Sequence, residues 1–230
     1  MSGKVFIQKL VPLALLALAA ASLSGCVLAT VRTLEEDEGA KAGFSGDNYV
    51  EGIWESEVLP AYAENAHELT MLLDLIAQDE QAAIDQYGSR SGTGAYSFMV
   101  HGEGTIIQYN TESRTGLVTV DLAPEDGTAE VSIIVGPLIK ISQRAAVRDA
   151  VGFIAYGNFV NQQEFADVAN AMGDRILQML MDEFGVDNAD AIREIEPAQL
   201  EGKRVTFRGA FTLSSADNIE IVPVQFEVSD

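Results

Sequence analysis

The hydrophobic period of this chain changes repeatedly, and the order of the changes restricts the fold more than any other feature. Over 47–88 apolar residues recur at three- and four-residue spacing: Val50, Ile53, Trp54, Val58 and Ala61, then Leu69, Leu72, Leu73, Ile76, Ala83 and Ile84. Glu64, Glu68, Asp74, Gln78 and Asp85 take the opposite face. That is the pattern of an amphipathic helical segment. Asp47 or Asn48 is placed to cap it, and Pro60 to kink or restart it. From Tyr96 the period becomes two. Strands are predicted over 96–100, 104–109, 116–122 and 129–135, separated by the turn clusters 110–114 and 124–127. Gly102 and Gly104 read as a bulge or bend. Helical spacing returns with Val147, Ala150, Val151 and Ile154. A stronger stripe follows, Phe165, Val168, Ala169, Met172, Ile176, Met179 and Leu180, with Gly185 as its C-cap. Two more strands are predicted over 203–213 and 219–228.

Strands, a helical insertion and two further strands predict an α+β fold built on a small Greek-key β-barrel. The oligonucleotide/oligosaccharide-binding (OB) type has five strands, commonly with a helix between the third and fourth. An open sandwich is the alternative. The predicted single domain covers 47–230: a helical segment at 47–88, barrel strands at 95–136, a helical insertion at 142–185 and barrel strands at 203–228. Neither fold label gives a function.

The first 26 residues specify an address. Lys4 and Lys9 are the only charges before Cys26, and an apolar run of about fourteen residues follows them, shorter than a membrane span. Leu23-Ser24-Gly25-Cys26 resembles the bacterial lipobox, in which a peptidase cuts before the cysteine and the thiol receives a diacylglycerol. The chain's single cysteine stands at that position. Residues 1–25 are therefore expected to be a signal peptide and Cys26 the lipidation site. Acyl chains such as palmitate would anchor it stably, since each buried CH₂ contributes about 0.8 kcal/mol. Residues 26–46, with the acidic run Glu35-Glu36-Asp37-Glu38, read as a tether. Val27 after the cysteine leans toward the outer rather than the inner membrane.

Composition then removes whole classes of function. A net charge of −21 is wrong for a nucleic-acid binder, which needs clustered Lys and Arg. One cysteine excludes an intramolecular disulfide and a Cys-rich zinc module, and two histidines leave little for a His-based metal site. There is no nucleophile elbow, phosphate loop, zinc-protease helix or calcium-loop pattern. No cofactor and no metal is therefore expected, and no enzymatic activity. The loop hydroxyls Ser89, Ser91 and Thr93 have no local base, and His67 and His101 read as structural or surface residues.

Two groups of residues qualify as ligand or partner contacts. Arg144 and Arg148 lie four apart on one helix face, and a guanidinium binds carboxylate or phosphate bidentately. Asp149 is adjacent, and pairing inside the domain is the competing account. Asn158, Asn161, Gln162 and Gln163 place amides near Tyr156 and Phe159, a combination that suits sugars; helix capping is the alternative. Trp54 reads as a core or partner-face anchor.

Several segments resemble an uncharacterised family of predicted periplasmic lipoproteins, domain of unknown function 2291. They are Tyr49-Val50-Glu51 with Trp54 and Pro60, Tyr87-Gly88-Ser89-Arg90, Gly102-Glu103-Gly104, Gly136-Pro137, Arg148-Asp149-Ala150, Phe159 with Asn161-Gln162, and Pro223-Val224. Arg148 falls on the family's Arg-Asp pair, so it is expected to matter more than Arg144. The resemblance implies a periplasmic location and an association with sugar-type ABC transporters, without an assigned activity. The expected function is a non-enzymatic, lipid-anchored accessory or adaptor protein near such a transporter. A sugar- or nucleoside-binding lipoprotein is the second reading and an envelope hydrolase the third. A binder should show one deep pocket of aromatic and amide groups; an adaptor should show an exposed apolar patch.

Overall fold

Trp54, Pro60 and the apolar positions of 47–88 are divided among several short helices. The computed structural model describes residues 43–215 and 218–229; the leader, Cys26 and most of the predicted tether lie outside them. Ser45, not Asp47 or Asn48, is the first cap: its hydroxyl accepts from Asn48 N at 3.3 Å. It opens α1 (Gly46–Ile53), which packs on a later helix so closely that a side chain at Gly46 would collide with the backbone of Asp167. A π-helical turn, Trp54–Val58, leads into α2 (Leu59–Asn65). Pro60 lies in the first turn of α2, directly after the π-helical turn, and the backbone stays helical through it, so the proline marks a change of helical type rather than a break.

The stripe of 69–84 does not continue that helix. A two-residue strand β1 (His67–Glu68) intervenes. Then come α3 (Leu69–Gln78) and α4 (Glu80–Tyr87), divided at Asp79, whose carboxylate caps α4 by accepting from Ala82 N at 3.0 Å. Periodicity found the buried residues Leu69, Leu72, Ile76 and Ala83. It did not see the breaks, which are made by side-chain caps.

The two strands predicted over 96–100 and 104–109 are one, β2 (Ser97–Asn110). Gly102 and Gly104 do not end a strand. A Cβ at Gly102 would press on the Phe207 ring, and one at Gly104 would collide with the Asp121 carbonyl. The register shift falls later, between Ile106 and Gln108. The long strand serves two partners: it pairs antiparallel with β5 (Arg204–Thr212) over Ser97–Thr105 and with β3 (Leu117–Leu122) over Gly104–Asn110. β3 pairs with β4 (Val131–Ile134), β4 runs parallel to β6 (Glu220–Ser229), and β6 is antiparallel to β5. The order β1-β2-β3-β4-β6-β5 thus returns on itself through β2 and β5. The fold is mixed α+β, with one six-stranded sheet whose five longer strands form a closed cycle of pairings.

Between β4 and β5 the predicted insertion is two helices, α5 (Ile141–Ala150) and α6 (Gln162–Phe184), joined by an irregular loop with a short 3₁₀ turn at Tyr156–Asn158. The α6 stripe is buried as its spacing predicts, except that Met179 is only partly covered. Gly185 ends the helix in the left-handed conformation, φ 64°. The core is continuous from the helices to the strands. Phe98 and Phe211 stack with centroids 5.3 Å apart, and Phe207 and Phe226 are fully buried nearby on β5 and β6. Truncating any of these to Ala is worth about 3–5 kcal/mol. Trp54 belongs to this core.

Candidate functional site

The last turn of α5 carries a buried cation. Arg148 is 7 % exposed. Its Nε donates to Asp149 Oδ1 at 2.9 Å, and its Nη2 lies 2.8 Å from the same oxygen. Its Nη1 donates to the Phe165 carbonyl at 2.8 Å, and the guanidinium carbon sits 3.3 Å from the centroid of the Phe165 ring. Coulomb attraction, a charge-assisted hydrogen bond and a cation–π contact converge on one group. Its position at the C-terminus of α5 adds the helix dipole. The turn is held from below by Tyr62, whose hydroxyl donates to the Val147 carbonyl at 3.1 Å. Burial, and secondarily Asp149, pushes the Tyr62 phenol well above its ordinary pKa, so it stays a donor.

Arg144 is half-buried and also faces inward. Its Nε donates to the Ile139 carbonyl at 2.9 Å and its Nη1 reaches Asp174 at 3.3 Å. Its side chain fills the space above Gly173 of α6. Both arginines therefore join α5 to α6, the internal-pairing geometry. The amides divide differently. Asn161 is the N-cap of α6, accepting from Glu164 N at 2.9 Å and donating to Glu164 Oε1 at 3.2 Å. Gln162 is exposed at the first residue of that helix. Gln163 donates to Asp167 at 2.8 Å.

What this scaffold holds up is the loop 151–161. Ser89 Oγ donates to the Asp149 carbonyl at 2.7 Å, Tyr156 N donates to Ser91 Oγ at 3.3 Å, and Val160 N donates to Glu164 Oε2 at 3.0 Å. The Ser89 and Ser91 hydroxyls thus tie the segment before β2 to this loop. Beneath the loop Phe159 packs edge-on to Phe44 and Tyr49, and Tyr156 meets Phe165 edge-on. Above it, Phe153, Tyr156 and Val160 reach solvent at 39, 48 and 89 % exposure. No residue of 151–161 is charged, in a chain of net charge −21. An apolar, charge-free stretch rimmed by Asn158, Asn161 and Gln162 is the kind of surface that meets a partner. Sequence reasoning singled out Tyr156 and the amides but missed Phe153 and Val160. The available signal was a run of aromatic and aliphatic residues that obeys neither helical nor strand period.

The two histidines come together elsewhere. In β1 and β2, His67 lies opposite Val100 and Glu68 opposite His101. The His67 ring packs on Tyr87 with centroids 4.3 Å apart. Burial, then the nearby His101, lowers its pKa. Partial burial would raise the Glu68 pKa, but the N–H groups of Met71 and Thr70, which cap onto its carboxylate at 2.6 and 2.9 Å, outweigh that and hold it below the ordinary value. Next to them Glu68, Thr70, His101, Thr206 and Arg208 line a cleft of about 380 Å³. Arg208 Nη1 donates to Gln225 at 2.9 Å, while its Nε is buried without a partner. A larger depression borders Trp54, Gln225 and Phe226, but both rings are buried and offer no face to a sugar.

A family model described as "Predicted periplasmic lipoprotein (DUF2291)" matches residues 16–227. No curated protein matches the chain. Among solved structures the chain is similar to an OB-fold protein from Thermotoga maritima, with 14 % identity and a TM-score of 0.59, over 81 % of this chain and 99 % of that one. At that identity the likeness concerns the fold alone. Among the described residues no helix is long and apolar enough to cross a membrane.

Proposed function

This chain belongs to the family of predicted periplasmic lipoproteins, and from that premise we propose that it is a non-enzymatic accessory protein that presents the loop 151–161 to a protein partner. Cys26 is the acylated residue, and the charged segment after it spaces the domain from the bilayer. The partner in this reading is a component of a sugar-type ABC transport system. The closed strand cycle, read as a small Greek-key barrel of the OB type, serves as a rigid base rather than as an oligonucleotide site, since the chain's charge repels phosphate. The observation that carries the reading is the contrast at the end of α5. Arg148, Asp149 and Phe165 are closed on one another, while Phe153, Tyr156 and Val160 above them are exposed and uncharged.

A second reading, a small-molecule binder, draws on the 380 Å³ cleft with its unpartnered Arg208 Nε. The two separate in one experiment. The lipoprotein is affinity-purified from detergent-solubilised membranes as wild type, as Tyr156→Asp with Val160→Asp, and as Arg208→Gln. The adaptor reading expects a stoichiometric membrane partner that the loop variant loses and Arg208→Gln keeps. Retention of the partner by the loop variant, or no partner at all, contradicts it.

A further inference from the structure

The hairpin between β3 and β4 gathers three carboxylates that the proposed function does not use. Asp121 stands near the end of β3, and Asp126 and Glu130 follow in the connection. One oxygen from each lies within 4.8 Å of the other two. The hairpin's own amides hold the side chains in place. Gly127 N donates to Asp121 Oδ2 at 2.8 Å, Thr128 N to Asp126 Oδ1 at 2.9 Å, and Leu122 N to Glu130 Oε2 at 2.8 Å. These bonds orient the carboxylates without neutralising them. The adjacent guanidinium, Arg204, is turned to Glu125 at 2.9 Å and Glu103 at 3.6 Å.

A second, independent observation points to a ligand here. Asp121 is 5 % exposed, and its second oxygen, Oδ1, is buried with no hydrogen-bond partner. A buried carboxylate oxygen left unanswered is costly, and two further carboxylates beside it add repulsion. A single bound cation would satisfy the oxygen and neutralise the repulsion together. A cation about 2.3–2.6 Å from each ligand leaves any two ligand oxygens within about 5 Å of each other, as they are here. An all-oxygen, all-carboxylate donor set selects a hard cation. Magnesium demands near-ideal octahedral geometry and keeps its water; calcium accepts irregular geometry and a buried ligand. We infer that Asp121, Asp126 and Glu130 form a calcium site at the β3–β4 hairpin. The inference departs from the sequence expectation of no metal: the three residues span ten positions at a spacing unlike the calcium-loop pattern.

The site predicts an affinity of roughly 10⁻⁴–10⁻³ M, the range of extracellular calcium modules. The test is isothermal titration calorimetry with calcium chloride and magnesium chloride on the full chain in detergent after EDTA treatment, together with melting curves at rising calcium. The comparison chains are the Asp126→Asn, Glu130→Gln double variant and Glu125→Gln. Asn and Gln keep the acceptors for Thr128 N and Leu122 N, so the hairpin retains its bonds. The expected result is one saturable calcium site, a melting temperature that rises with calcium, a loss of affinity of about tenfold or more in the double variant, and little change in Glu125→Gln. No saturable calcium binding below about 10 mM, calcium binding that the double variant retains, or a preference for magnesium overturns the assignment.

Discussion

Among the described residues two charged side chains are buried, Arg148 and Asp121, and they differ in what answers them. At the end of α5 the Arg148 guanidinium meets a carboxylate, a carbonyl and an aromatic ring, all from this chain. At the β3–β4 hairpin the Asp121 carboxylate meets one amide and two more carboxylates, and its Oδ1 meets nothing. The first site is closed and indifferent to the solution around it. The second, on the inference above, is answered by a bound cation. A buried charge of the first kind supports a surface above it; one of the second kind makes its hairpin responsive to the medium.

The largest effect that separates them comes from removing the closed site's cation. Arg148→Met leaves Asp149 half-desolvated and unpaired, and is expected to cost about 3–5 kcal/mol in urea or thermal denaturation. A loss near zero would mean that the node is not built as described. The neighbouring contacts should cost less. Arg144→Met orphans the Ile139 carbonyl and Tyr62→Phe orphans that of Val147, each at about 1–3 kcal/mol.

How legible this comparison is in the sequence differs between its halves. The stripe Phe165–Leu180, the C-cap Gly185 and the return to period two at 203 are all visible, because burial on one face imposes a period on a regular element. Arg148-Asp149 is visible as a pair of opposite charges at a helix end. The breaks at Ala66 and Asp79 are not, because a single capping carboxylate decides them and the apolar spacing runs on through. The continuity of β2 is hidden for the opposite reason. Gly102 and Gly104 look like interruptions, yet they are there because Phe207 and the Asp121 carbonyl need the room. The carboxylate cluster is invisible because Asp121 and Glu130 meet only when β3 and β4 pair.

The hairpin should respond with the opposite sign. In EDTA, Asp126→Asn removes one of three mutually repelling charges, so its melting temperature is expected to rise rather than fall, and its response to calcium to shrink. A variant that is less stable in EDTA would show that the cluster is a satisfied network.

The smallest effect is a pH dependence outside both sites. His67 has a lowered pKa in the fold, so the unfolded chain binds its proton first as pH falls through about 6.5. Stability therefore declines on acidification below that value and is unaffected above it. Glu68, also lowered, loses its contribution further into acid, as pH falls through its folded pKa. Melts at pH 7.5 and 5.5 should show a small loss that His67→Gln reduces; an unchanged loss would assign it elsewhere.

The measurement that tests the central claim most directly is a site-specific photo-crosslink from Val160 in growing cells, compared with the same probe at the exposed Glu112 of the β2–β3 turn. Val160 is 89 % exposed and belongs to the charge-free loop above the closed pair, so the probe should not disturb folding. The account predicts one discrete adduct with an envelope protein from position 160 and none from position 112. No adduct from 160, or the same adduct from both positions, would contradict it.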